Sequence, residues 1–124
     1  MATNLVQENG IKLWTNGTGA AVSSGGIAVA GNMIGVALTD IANGATGSVD
    51  FTPGRVFSGI PKVTAAVFAF GEKLIWDASA GKFDDSAATP ATGDVTGAVV
   101  AWVAGTSSDT TCTIMLTPGN STVT

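Results

Sequence analysis

The side chains able to do chemistry are few, and their spacing decides most of what this chain can be. Asp77, Asp84 and Asp85 come closest to a cation site, because a hairpin could gather their carboxylates around calcium. An EF-hand loop closes on a Glu, however, and none stands at that position after Ser79 and Gly81. The three acids therefore read as turn-forming and solvated. Glycoside hydrolysis needs two acids facing one cleft, and nothing in the sequence singles out a pair. Gly81-Lys82 is the only Gly-Lys step, and a phosphate loop requires Ser or Thr next and a Gly five residues before Gly81. Phe83 and Trp76 occupy those places, so no nucleotide is expected.

Cys112 is the single cysteine, and the chain has no His to activate it, so it reads as a small core residue. No intrachain disulfide and no cysteine-rich metal site can form from it. Asn16-Gly17-Thr18 and Asn120-Ser121-Thr122 match the glycosylation pattern, which carries no meaning without secretion. Trp14, Trp76 and Trp102 could make a sugar-stacking platform, but scattered tryptophans more often pack a core or a subunit interface. Trp76 shares a strand face with Leu74 and is expected to be buried.

The composition argues the same way. Charged residues are 11% of the chain, well below the usual ~25%. Thr, Ser and Asn must therefore supply much of the solubility. Four Lys and one Arg against nine acids give a net charge of −4, which disfavours a phosphate footprint on nucleic acid and an anionic membrane surface. An apolar content of 45% is ordinary for a globular fold. No apolar run approaches the ~20 residues that span a bilayer. The N-terminus lacks a basic segment followed by an apolar one, so synthesis and folding in a cytoplasm are expected.

The elements that must position these residues are short strands. Gly, Asn, Asp and Pro recur at intervals of about 8–12 residues, the spacing of an all-β sandwich or barrel. Strands are expected at Ile11–Thr15, Ile27–Ala30, Met33–Asp40, Ser48–Thr52, Arg55–Ile60, Gly71–Trp76, Lys82–Phe83, Val95–Ala104 and Thr110–Thr117. Ile34, Val36 and Leu38 fall on one face of their strand, Val49 and Phe51 share another, and Cys112, Ile114 and Leu116 point inward together. Val95–Ala104 is the most apolar strand and is expected to be central. Val63–Phe70 fits both the helical and the strand period, and one short helix is allowed there. Asp84–Asp94 reads as a surface loop, and the tail from Pro118 as frayed. The whole reads as one all-β domain over residues 1–124, with an extended segment at 1–9.

Several pieces in this order carry a family resemblance. They are Asn4-Leu5-Val6-Gln7-Glu8, Ile34-Gly35-Val36-Ala37-Leu38, Gly47-Ser48-Val49 and Arg55-Val56-Phe57. Ile60-Pro61-Lys62 and Gly71-Glu72-Lys73-Leu74-Ile75-Trp76-Asp77 complete the set, the last being the most specific. The chain resembles the small capsid decoration, or cement, proteins of tailed bacteriophages, from Ala2 to about Leu116. Members of that family have often carried a label as a RecA/RadA-type phage recombinase, which the failed phosphate loop removes here. The resemblance implies a compact β-barrel or β-sandwich without cofactor that binds the outside of a phage head. It further implies a homotrimer tying major capsid protein subunits together, made in the bacterial host cytoplasm. The long Asp84–Asp94 loop and the Thr-rich tail depart from the family pattern.

Low charge, strands and exposed Thr, Ser and Asn suit a cement protein, in which many weak contacts act together over a lattice. Asn4, Leu5, Val6, Gln7 and Trp14 are the expected contacts to capsid or subunit. Leu5 and Val6 form an apolar pair on a terminal segment with no alternating partner run. The alternative is a carbohydrate- or host-surface-binding module displayed on the virion. Binding to empty capsids rather than to a glycan array separates the two. A small hydrolase is disfavoured by the absence of a site.

Overall fold

A computed structural model describes Asn4, Val6, Gln7 and residues 9–124. Among these residues there is no helix, and ten strands form two antiparallel sheets. They are β1 (Ile11–Thr15), β2 (Ile27–Ala30), β3 (Met33–Ala37), β4 (Thr46–Asp50), β5 (Val56–Pro61), β6 (Lys73–Asp77), β7 (Lys82–Asp84), β8 (Val95–Ala101), β9 (Thr111–Leu116) and β10 (Thr122–Val123). The first sheet runs β1-β4-β3-β2, and the second β5-β9-β8-β6-β7, with β10 also on β8. The all-β class read from turn spacing is what the chain adopts.

Turn chemistry sets the hairpins. Gly31 and Asn32 connect β2 to β3, and Gly31 at φ 58° occupies the first central position, as a type II′ turn requires. In the β6–β7 turn Gly81 has φ 64° and its N–H bonds Asp77 O at 2.8 Å. β8 lies mid-sheet, as its apolar run implied.

The first sheet is covered on both faces. Ile27, Val29 and Ile34 turn toward the second sheet and join Leu74, Phe83, Val95, Val99, Ile114 and Leu116 in the larger core. Ala28, Ala37, Val49 and Phe51 turn the other way and pack with Ile41, Trp14 and Val22 in a smaller one. Gly35 is required where Phe51 crosses β3, since a Cβ there would lie 2.6 Å from the Phe51 ring. Val49 and Phe51 share a buried face as expected, and so do Cys112, Ile114 and Leu116.

Three expectations are corrected and one open reading is settled. β3 ends at Ala37, and Leu38 is 44% exposed, because the second sheet does not reach over that end of the first. Val63–Phe70 forms no helix; Lys62 bridges Phe83, and Phe68 bridges Gly105, so long-range pairing overrides an ambiguous local period. The tail is not frayed, since Thr122 and Val123 pair with Thr96 and Val95, and Gly93 N–H bonds Thr124 O at 2.9 Å. Trp76 is only half-buried, packed edge-on against Phe83 at a centroid distance of 4.9 Å.

Candidate interaction surface

The most specific sequence motif builds a hairpin whose two acids are spent on nearby N–H groups and serine hydroxyls. Glu72 accepts from Ala69 N–H at 2.9 Å, from Ser86 N–H at 2.7 Å and from the Ser86 hydroxyl at 2.8 Å. Partial burial pushes its carboxyl upward, but these bonds outweigh it and the net shift is downward. Asp77 Oδ1 accepts from the Ser79 hydroxyl at 2.7 Å and from the N–H groups of Ser79 and Ala80. The Ser79 hydroxyl leads the causes that hold its carboxyl below the ordinary value. Asp85 accepts from Ala87 N–H, and Asp84 from Asp85 N–H. Asp77, Asp84 and Asp85 thus cap turns, as read from the sequence, and among the described residues no three His, Cys, Asp or Glu side chains gather as a metal set.

The buried polar groups are equally occupied. Lys62 is fully buried and donates from Nζ to the carbonyls of Val63 at 2.9 Å, Thr64 at 3.2 Å and Asp109 at 3.4 Å. Its Nζ lies 5.1 Å from the centre of the Phe68 ring. Asp50 pairs with Arg55 at 3.3 Å and accepts from Thr52 N–H. Asp94 ties Ala78 N–H to Ala91 N–H through its two oxygens. Asn16 is fully buried, donating to Ala20 O and Ile41 O, so its glycosylation pattern is sterically closed. Cys112 is buried in the larger core, and desolvation pushes its thiol up to about 11 despite the opposing charge of Lys62. These groups hold the fold and offer no reacting arrangement.

What remains is apolar surface. Phe70 is 67% exposed and Trp102 42% exposed, and their rings meet edge to face at 5.4 Å. Phe68 pairs with Gly105, and Gly71 N–H bonds Ala101 O, so the two segments run side by side and place Val103 beside Phe70. A second apolar pair flanks Ser48. Leu13, 68% exposed, lies opposite it on β1, and Leu38, just past β3, donates its N–H to Ser48 O. Here the inner face of the first sheet extends beyond the cover of the second. Solitary apolar side chains at a surface are normal, but paired large ones mark contact sites.

β1 is also an edge. Gly10, Lys12, Trp14 and Asn16 turn their backbone groups to β4, as the bonds from Phe51 N–H to Gly10 O and from Asn16 N–H to Ala45 O show at its two ends. Ile11, Leu13 and Thr15 therefore present theirs outward. Those of Ile11 are taken by Asn9 Oδ1 and Gln7 Nε2. Those of Leu13 and Thr15 face an edge with no strand partner among the described residues.

Of the contact residues expected from sequence, Asn4 and Gln7 are exposed and Val6 is 96% exposed, while Leu5 lies outside the described residues. Trp14 is half-buried against the smaller core, on the sheet face opposite Leu13. The three tryptophans do not form a platform: Trp14 packs on the smaller core, Trp76 on the larger, and Trp102 on Phe70. Sequence reading missed the Phe70–Trp102 pair. Phe70 sits in the turn before β6 and Trp102 just past β8, and only the non-local pairing turns them outward together.

Comparison with known proteins agrees with this inventory of exposed apolar contacts and fully engaged polar groups. The model of the phage cement protein family matches residues 6–116. No curated protein and no solved structure matches the chain. The match takes in nine of the ten strands and the Glu72–Asp77 hairpin, so the chain belongs to the phage cement proteins, structural components of the phage capsid.

Proposed function

We propose that this chain decorates the outer surface of an assembled phage head, binding the major capsid protein lattice as a homotrimer. It acts without cofactor, nucleotide, nucleic acid or membrane, and is made in the host cytoplasm before joining the virion. The observation that carries the reading is the exposed Phe70–Trp102 pair, whose rings meet edge to face at the surface. Covering one such side chain contributes about 1.5–3 kcal/mol. That is too weak for a lone contact, and sufficient when many copies act on one shell. The segment Asn4–Gln7 and the outer part of Trp14 are the accessory contacts in this reading.

Co-sedimentation with decoration-free heads tests it. The full chain is expected to pellet with heads. A Phe70→Ser/Trp102→Ser variant, and a chain lacking Ala2–Gln7, are expected to stay folded and remain in the supernatant. A full chain that never pellets with heads overturns the proposal.

A further inference from the structure

A groove of about 470 Å³ runs between the outer edge of β2 and the β6–β7 hairpin, and a smaller one of about 270 Å³ adjoins it. Ile27, Val29 and Trp76 line one side, and Ala20, Ala21 and Val22 the other. β2 is the far edge of the first sheet, with no strand beyond it among the described residues. Its hairpin with β3 closes at Ala30 and Met33, and Ala37 N–H bonds Gly26 O, so Gly26, Ala28 and Ala30 face β3. Ile27 and Val29 consequently turn their N–H and C=O groups into the groove. An open strand edge beside apolar side-chain pockets is the anatomy of a site that takes up an added strand.

The geometry points to one occupant: residues 3–6 of a second copy of this chain, laid as an extra strand along β2. This rests on the self-association proposed above and names its contact. The groove selects the sequence. β2 reads Ile-Ala-Val-Ala and has apolar neighbours on both faces, the larger core on one and the smaller on the other. A strand added beside it inherits both, with Trp76 below and Val22 above. Alternate side chains of a strand point opposite ways, so such a strand needs adjacent apolar residues rather than alternating ones. Leu5-Val6 is such a pair, and Val6 has almost no cover of its own.

A chain cannot fill its own groove this way. Gln7 and Asn9 hold the segment against the outer edge of β1, three strand spacings, or about 14 Å, from β2. Residues 2–6 reach at most about 18 Å when extended, which leaves too little chain to pair after crossing the sheet. Donor and acceptor at opposite edges of one sheet give a head-to-tail contact, the kind that builds a ring such as a trimer when its rotation closes.

Light scattering of the full chain in the absence of heads, together with crosslinking, tests the inference. Val6→Asp and Ala21→Glu place a charge on either side of the contact, and both side chains are exposed in the isolated fold. Each variant is expected to drop the particle mass to that of the monomer, with unchanged circular dichroism. A Val6→Cys/Ala21→Cys chain is expected to form disulfide-linked multimers on mild oxidation, whereas a Val6→Cys/Ser108→Cys chain is not. Buried Cys112 does not compete. Multimers that persist in both charge variants overturn the inference while leaving a trimeric cement protein intact. A monomeric full chain also overturns it, and co-sedimentation of that sample with heads reports separately on the decoration reading.

Discussion

Lys62 shows how far a single residue can be committed to structure in a chain with few charges. Three carbonyls accept from its ammonium, and among the described residues no carboxylate pairs with it. Lys62→Met keeps the bulk but strands those carbonyls, at about 1–3 kcal/mol for a buried group left unpaired. Urea unfolding is expected to show a loss of about 2–4 kcal/mol, while Lys73→Met, at an exposed position, stays within about 0.5 kcal/mol. Cys112 gives a second outcome at this scale. With its thiol raised to about 11 by burial, it forms little thiolate near neutrality. Iodoacetamide is expected to modify it only after denaturation, which mass spectrometry reads directly. Glu72 and Asp77 supply the pH dependence. Both carboxyls lie below their ordinary values in the fold, so their stabilisation is present above the unfolded pKa and is lost as pH falls through the folded one. Between about pH 6 and pH 3, the melting temperature of a Glu72→Gln/Asp77→Asn variant is expected to fall less than that of the parent.

At the scale of elements, the bulge in β8 decides how the second sheet closes. Lys73 pairs with Val100 and Ile75 with Thr96, so β8 spends two extra residues there. Gly97, at φ 84°, takes up the excess, and the tail crosses directly over it before β10 pairs. A Cβ at this position would lie 2.7 Å from Asn120 O. Gly97→Ala therefore carries both a left-handed backbone penalty and a displaced tail. Gly19→Ala, at φ 90° with open space around it, carries only the first. Thermal melts are expected to show about 1 kcal/mol lost for Gly19→Ala and at least twice that for Gly97→Ala. The tail is thus a working part of the sheet, and the Ser121 hydroxyl also bonds Asn32 O in the β2–β3 turn of the other sheet.

For the whole molecule, the distribution of charge bears on how a head would be held. Only 11% of residues are charged, and Phe70, Trp102, Leu13 and Leu38 are large apolar side chains left exposed. Attachment through such a surface depends on apolar burial, which salt screening leaves intact. Affinity for heads is expected to change less than about threefold between roughly 0.05 and 0.5 M sodium chloride, measured by titrated co-sedimentation. A loss of tenfold or more assigns attachment to ion pairs.

How much of this was legible in the sequence depended on how local the deciding physics was. β1 and β2 begin and end where the residues said they would, because Asn16, Gly26 and Gly31-Asn32 set those limits through short-range turns. The lack of a phosphate loop and the inward face of Cys112, Ile114 and Leu116 follow from residue identity and period alone. Leu38 misled because its period matched Ile34 and Val36, while its exposure depends on where a second sheet stops. Val63–Phe70 stayed ambiguous because its pairing partners are Phe83 and Gly105, distant in sequence. The same holds for the surface. Composition already pointed to contact rather than catalysis, since few groups for proton transfer exist in the chain. Which tryptophan faces outward, which one floors a groove and which strand edges stay open were decided only when two sheets packed, because exposure is a property of neighbours rather than of residues.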